Sequence, residues 1–68
     1  MAGGNTTAYR CQVVGGELSC ELTTRLRSEC ATVDDALLRL AAGERVVVAG
    51  SDMFALRLRL DQVGVKSE

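Results

Sequence analysis

Three cysteines and seven arginines are the residues of this 68-residue chain whose chemistry could matter most. Histidine is absent, so no Ser/His/Asp or Cys/His nucleophile can be assembled. Cys11, Cys20 and Cys30 lie nine and ten residues apart, which matches no zinc-ligand spacing. Asp34 and Asp35 are adjacent, so they fall on different parts of a helix surface and read as first-turn charges rather than an acid–base pair. Gly3-Gly4 and Gly15-Gly16 do not lead into a helix, which leaves no phosphate loop. The expectation is a chain with no catalytic residue, no cofactor, no metal and no small-molecule substrate.

The cysteines acquire meaning from the stretch Tyr9–Leu22, where two alternating runs flank Gly15-Gly16. A Gly-Gly pair between such runs is a hairpin signal. With the glycines as turn residues, Val14 faces Glu17, Val13 faces Leu18, Cys11 faces Cys20 and Tyr9 faces Leu22. Arg10 then faces Glu21 and Gln12 faces Ser19 on the other side. A one-residue slip would mismatch every pair, so the register is well specified. Cys11 and Cys20 occupy a non-hydrogen-bonded position, where Cα atoms come closest and a disulfide can form. Two small buried thiols are the alternative, and a cytoplasmic address favours them. Cys30 precedes a helix start, but its nearest charge is Glu29, which opposes thiolate formation; it is not a catalytic candidate.

Residues 1–7 read as a flexible leader, 8–62 as one domain and 63–68 as a tail. Strand one runs from Ala8 to Val14. Strand two starts near Glu17, and its period of two persists through Leu22, Thr24 and Leu26. Beyond Leu22 it outruns strand one unless the leader also pairs, so Leu22, Thr24 and Leu26 form the candidate pairing edge, with Val46–Val48 next. Thr32 caps a helix of about ten residues whose apolar stripe is Val33, Ala36, Leu37, Leu40 and Ala41, and Gly43 ends it. Arg45–Ala49 is a β-branched strand. Ser51–Gln62 admits a helix, yet Phe54, Leu56, Leu58 and Leu60 alternate strictly with Ala55, Arg57, Arg59 and Asp61. That pattern predicts a fourth strand, reached by a three-residue turn at Gly50–Asp52.

The order is therefore hairpin, helix, hairpin: an α+β fold in two layers, with one helix over a four-stranded sheet. It resembles the β-grasp arrangement of ubiquitin-like and immunoglobulin-binding bacterial domains. That resemblance, carried by element order alone, implies a first and last strand lying parallel at the sheet centre. The ending Val65-Lys66-Ser67-Glu68 departs from the Gly-Gly of modifiers and sulfur carriers, which argues against a conjugation role.

With apolar residues turned to the helix, Arg10, Arg25, Arg27, Arg45, Arg57 and Arg59 would share the opposite sheet face. Such a face could hold phosphates or an acidic partner, although it offers no aromatic ring for base stacking. A solvated face with cross-strand Arg–Glu pairs is the plainer expectation. Net charge is −1, so there is no global attraction to nucleic acid or anionic membrane. No signal peptide or membrane span can be drawn, and a cytoplasmic location is the default.

At 47% hydrophobic with two aromatic residues, the chain must build a small aliphatic core, a situation often remedied by association. The expected function is a non-catalytic protein-interaction module, an adaptor or small subunit, self-associating as a homodimer through a sheet edge or face. The alternative is an RNA- or DNA-binding domain using the arginine face. A ubiquitin-like carrier and an enzyme rank behind these.

Overall fold

The computed structural model describes residues 4–67. Its longest feature is the hairpin of β1 (Asn5–Val14) and β2 (Glu17–Leu26), paired antiparallel from Asn5–Leu26 to Val14–Glu17. Tyr9–Leu22, Arg10–Glu21, Cys11–Cys20 and Val13–Leu18 pair as the alternation dictates. Gly15 and Gly16 both take positive φ, 60° and 81°, as a two-residue turn with the twist of the flanking strands requires. The hairpin is longer than the sequence suggested. Asn5, Thr6 and Thr7, assigned to a leader, instead pair with Leu26, Arg25 and Thr24. The rest of that leader, residues 1–3, lies outside the described residues.

A turn of 3-10 helix at Arg27–Glu29 leads to α1 (Val33–Ala41). Thr32 Oγ1 accepts the Asp35 N–H at 3.1 Å, and Ala36 and Leu40 are buried. At the other end Gly43 (φ 79°) allows Glu44 N–H to reach Arg39 O and Gly43 N–H to reach Leu40 O, a Schellman closure. β3 (Val46–Ala49) then pairs antiparallel with β1, Tyr9 opposite Val48 and Cys11 opposite Val46.

The fourth-strand expectation is overturned at this point. Gly50–Asp52 is a 3-10 turn and Met53–Gln62 is a second helix, α2. Met53, Leu56 and Leu60, at i, i+3 and i+7, are buried, while Phe54 and Leu58 face outward. Between Met53 and Gln62 there is no β-branched residue, and Met, Leu, Ala, Arg and Gln are good helix formers. Backbone propensity, together with a buried triplet at helical spacing, prevails over strict alternation.

α2 closes as α1 does. Gly64 (φ 87°) permits bonds from Val65 N–H to Leu60 O and from Gly64 N–H to Asp61 O. This turns Val65 onto the core and sets β4 (Lys66–Ser67) parallel to β2 at Glu17 and Leu18. Residues 63–67 thus belong to the fold rather than to a tail.

The sheet order is β3-β1-β2-β4, with three antiparallel strands and the short parallel β4 at the edge. The central parallel pair implied by the β-grasp resemblance is not formed, because β1 lies between two antiparallel neighbours. The α+β class holds, with two helices in place of one helix and a second hairpin. Both helices cover one sheet face, joining Leu40 and Leu56 to Cys11, Leu18, Val46 and Val48 in a single core.

Candidate docking edge

Two strands of ten residues run about 33 Å at the usual rise, whereas helices of nine and ten residues span about 15 Å. The distal part of the hairpin therefore projects past its cover, consistent with principal extents of 41 × 20 × 17 Å. Leu22 lies on the helix-facing side of the sheet yet is 69% exposed, and Leu26 is 40% exposed.

The backbone of this segment follows from the hairpin alternation. Cys20, Leu22, Thr24 and Leu26 occupy non-hydrogen-bonded positions opposite β1, so their N–H and C=O groups point to the outer edge of β2. The Cys11–Cys20 Cα separation of 4.1 Å agrees with that assignment. Among the described residues β4 pairs with this edge only at Glu17 and Leu18. Local side chains cover its far end. Leu26 N–H donates to Glu29 Oε1 at 3.0 Å, Cys30 Sγ donates to Leu26 O at 3.7 Å, and Arg25 Nη1 donates to Thr24 O at 2.8 Å. The N–H and C=O of Cys20 and Leu22 and the N–H of Thr24 are left facing outward. Of the three candidate edge residues, Leu22 and Thr24 thus present open backbone, while Leu26 is capped. The sequence marks Glu29 as a charge beside Cys30, and its place three residues after Leu26 is also the spacing of a capping pair.

β3, the second candidate edge, is partly covered on its outer side, where Ala31 N–H donates to Val47 O at 2.8 Å and Ala31 bridges to Val48. Cys11 and Cys20 are brought to disulfide distance within the hairpin, and Cys30 stands apart as a partly exposed free thiol.

The six arginines do not share a face. Arg10, Arg25 and Arg45 remain on the open side of the sheet, where Arg10 and Arg45 line one shallow recess with Gln12, Ser19 and Glu21. Arg10 Nη2 donates to Glu21 Oε1 at 2.6 Å. That hydrogen bond and the charge of Arg10, with a smaller contribution from Arg45, hold the Glu21 carboxyl below its ordinary pKa. Arg25 also reaches Thr23 Oγ1 at 2.9 Å. Arg27 lies in the 3-10 turn, and Arg57 and Arg59 move to α2 in the helix layer, where Arg59 meets Asp34 at 3.4 Å.

Elsewhere, an open groove of about 830 Å³ lies between the two helices, lined by Leu37, Leu38, Leu60, Val63 and Val65. It gathers few polar groups that could orient a ligand. Among the described residues no group of three or more His, Cys, Asp or Glu side chains could hold a metal, and no helix is long and apolar enough to cross a membrane. No protein family model, curated protein or solved structure matches the chain.

Proposed function

We propose that the chain is a non-catalytic docking module that binds a protein strand along β2. One observation carries this reading: at Leu22 an exposed leucine coincides with backbone N–H and C=O groups directed away from β1. An added strand gains main-chain hydrogen bonds for affinity, and its alternate side chains read the flanking surface. The edge is selective because Glu29, Cys30 and Arg25 guard one end and β4 the other. The nucleic-acid alternative loses support from the dispersal of its arginines and from the pairing of Arg10 with Glu21.

A synthetic peptide with the sequence Ser19–Arg25 serves as strand donor in a titration followed by amide NMR. Shifts should centre on the Cys20, Leu22 and Thr24 amides and vanish in Thr24→Pro. That substitution removes an outward N–H without touching a β1–β2 bond. Unmoved edge amides would contradict the reading. A uridine oligonucleotide that instead shifted Arg10 and Arg45, in a salt-dependent way, would favour the alternative.

A further inference from the structure

Resting on that docking reading, the geometry points to a second copy of this chain as the partner, joined β2 to β2 across a two-fold axis at Leu22. The open groups dictate the register. Among the described residues, outward-facing backbone is unengaged at Cys20 and Leu22 and at the Thr24 N–H. An antiparallel pair centred on Leu22 matches Leu22 with Leu22 and Cys20 with Thr24, in both directions. It forms about six main-chain hydrogen bonds. The Arg25 guanidinium must leave Thr24 O. The same register sets Leu26 of each copy against Leu18 of the other, so the two-residue β4 must leave that edge as well.

Shifting the axis to Thr24 or Thr23 would bring Leu26 into the ladder, where its N–H and C=O are already engaged by Glu29 and Cys30. Shifting it to Cys20 would oppose Leu22 to Leu18 and Thr24 to Gly16, placing the bonded ladder itself on the edge that β4 holds. The free segment is bracketed by β4 on one side and by the 3-10 turn at Arg27 on the other.

Charge supports the same register. On the open face, Arg25 of each copy falls opposite Ser19 of the other. Glu17 and Glu21 of that copy are then its two diagonal neighbours, within reach of a long side chain. The arginine released from Thr24 O thus gains two carboxylates. On the apolar face the two exposed Leu22 side chains meet at the axis, and the interface is isologous and self-closing. A single short strand pair buries less than the roughly 1,200 Å² typical of stable complexes, so the dimer is of the weak, concentration-dependent class.

The test measures mass by light scattering from micromolar to millimolar protein, together with isotope-filtered NOEs in a mixture of labelled and unlabelled chains. Concentration-dependent dimerisation is expected, with a Leu22 methyl to Leu22 methyl NOE between copies. Arg25→Glu, which keeps every strand hydrogen bond, should weaken association about tenfold or more by opposing Glu17 and Glu21 of the other copy. Thr24→Pro should abolish it. A dimer lacking the Leu22 contact, or indifferent to Arg25→Glu, overturns the proposed pairing. A chain monomeric at every concentration, whose edge amides still respond to the Ser19–Arg25 peptide, overturns the second copy while leaving strand docking intact. If the peptide also has no effect, both fail.

Discussion

Arg10 and Glu21 stand directly opposite one another across the β1–β2 hairpin, their side chains 2.6 Å apart on the open face of the sheet. The pair is solvent-exposed and screened, so its signature is a titration rather than a large stability term. Glu21 has a lowered pKa in the folded chain. Its contribution is therefore fully present above the unfolded glutamate pKa and is lost as pH falls through the folded value. A carboxyl NMR titration should place the Glu21 midpoint below that of a free glutamate. Arg10→Ala should move it upward, and an unchanged midpoint would show that the pair does not form in solution.

Cys11 and Cys20 lie at disulfide distance with nine residues of sequence separation. A closed loop of that size is worth about 2–3 kcal/mol by the chain-entropy relation. Protein prepared without reductant should, when denatured, show one reactive thiol, Cys30, and lose about 2–3 kcal/mol of stability on reduction. Three reactive thiols would establish that the pair remains reduced, as the cytoplasmic expectation had it.

Leu56 and Phe54 distinguish the observed helix from the strand that alternation predicts. A strand turns both inward, whereas α2 buries Leu56 completely and leaves Phe54 76% exposed. Leu56→Ala should cost about 2–5 kcal/mol in urea unfolding, enough to depopulate a domain this small. Phe54→Ala should change stability by no more than about 0.5 kcal/mol. Comparable losses at the two positions would restore the strand.

The hairpin was legible because alternation, a Gly-Gly turn and complementary charges all select one register, from Tyr9–Leu22 inward to Val14–Glu17. Its extension to Asn5 was hidden, since Asn5-Thr6-Thr7 carries no apolar residue to mark a strand. The first helix announced itself through Thr32, the stripe Ala36–Leu40 and Gly43. α2 did not, because a helix with leucines on both its buried and exposed faces reproduces a period of two. The decisive signals were the lack of β-branching and a second terminating glycine, Gly64, placed like Gly43. The arginine face failed with it, as Arg57 and Arg59 inherited their side from the wrong element. The edge at Leu22 and Thr24 could be placed from sequence, but its exposure could not, because that depends on how far two short helices reach along a long hairpin.

Solution mass across concentration, for the wild-type chain and for Thr24→Pro at low and high salt, tests edge docking between copies most directly. The account predicts a wild-type mass that climbs from monomer toward dimer, a modest loss of association at high salt from screening of Arg25, and a Thr24→Pro chain that stays monomeric. A wild-type chain that remains monomeric throughout, or a dimer that survives Thr24→Pro unchanged, would contradict it.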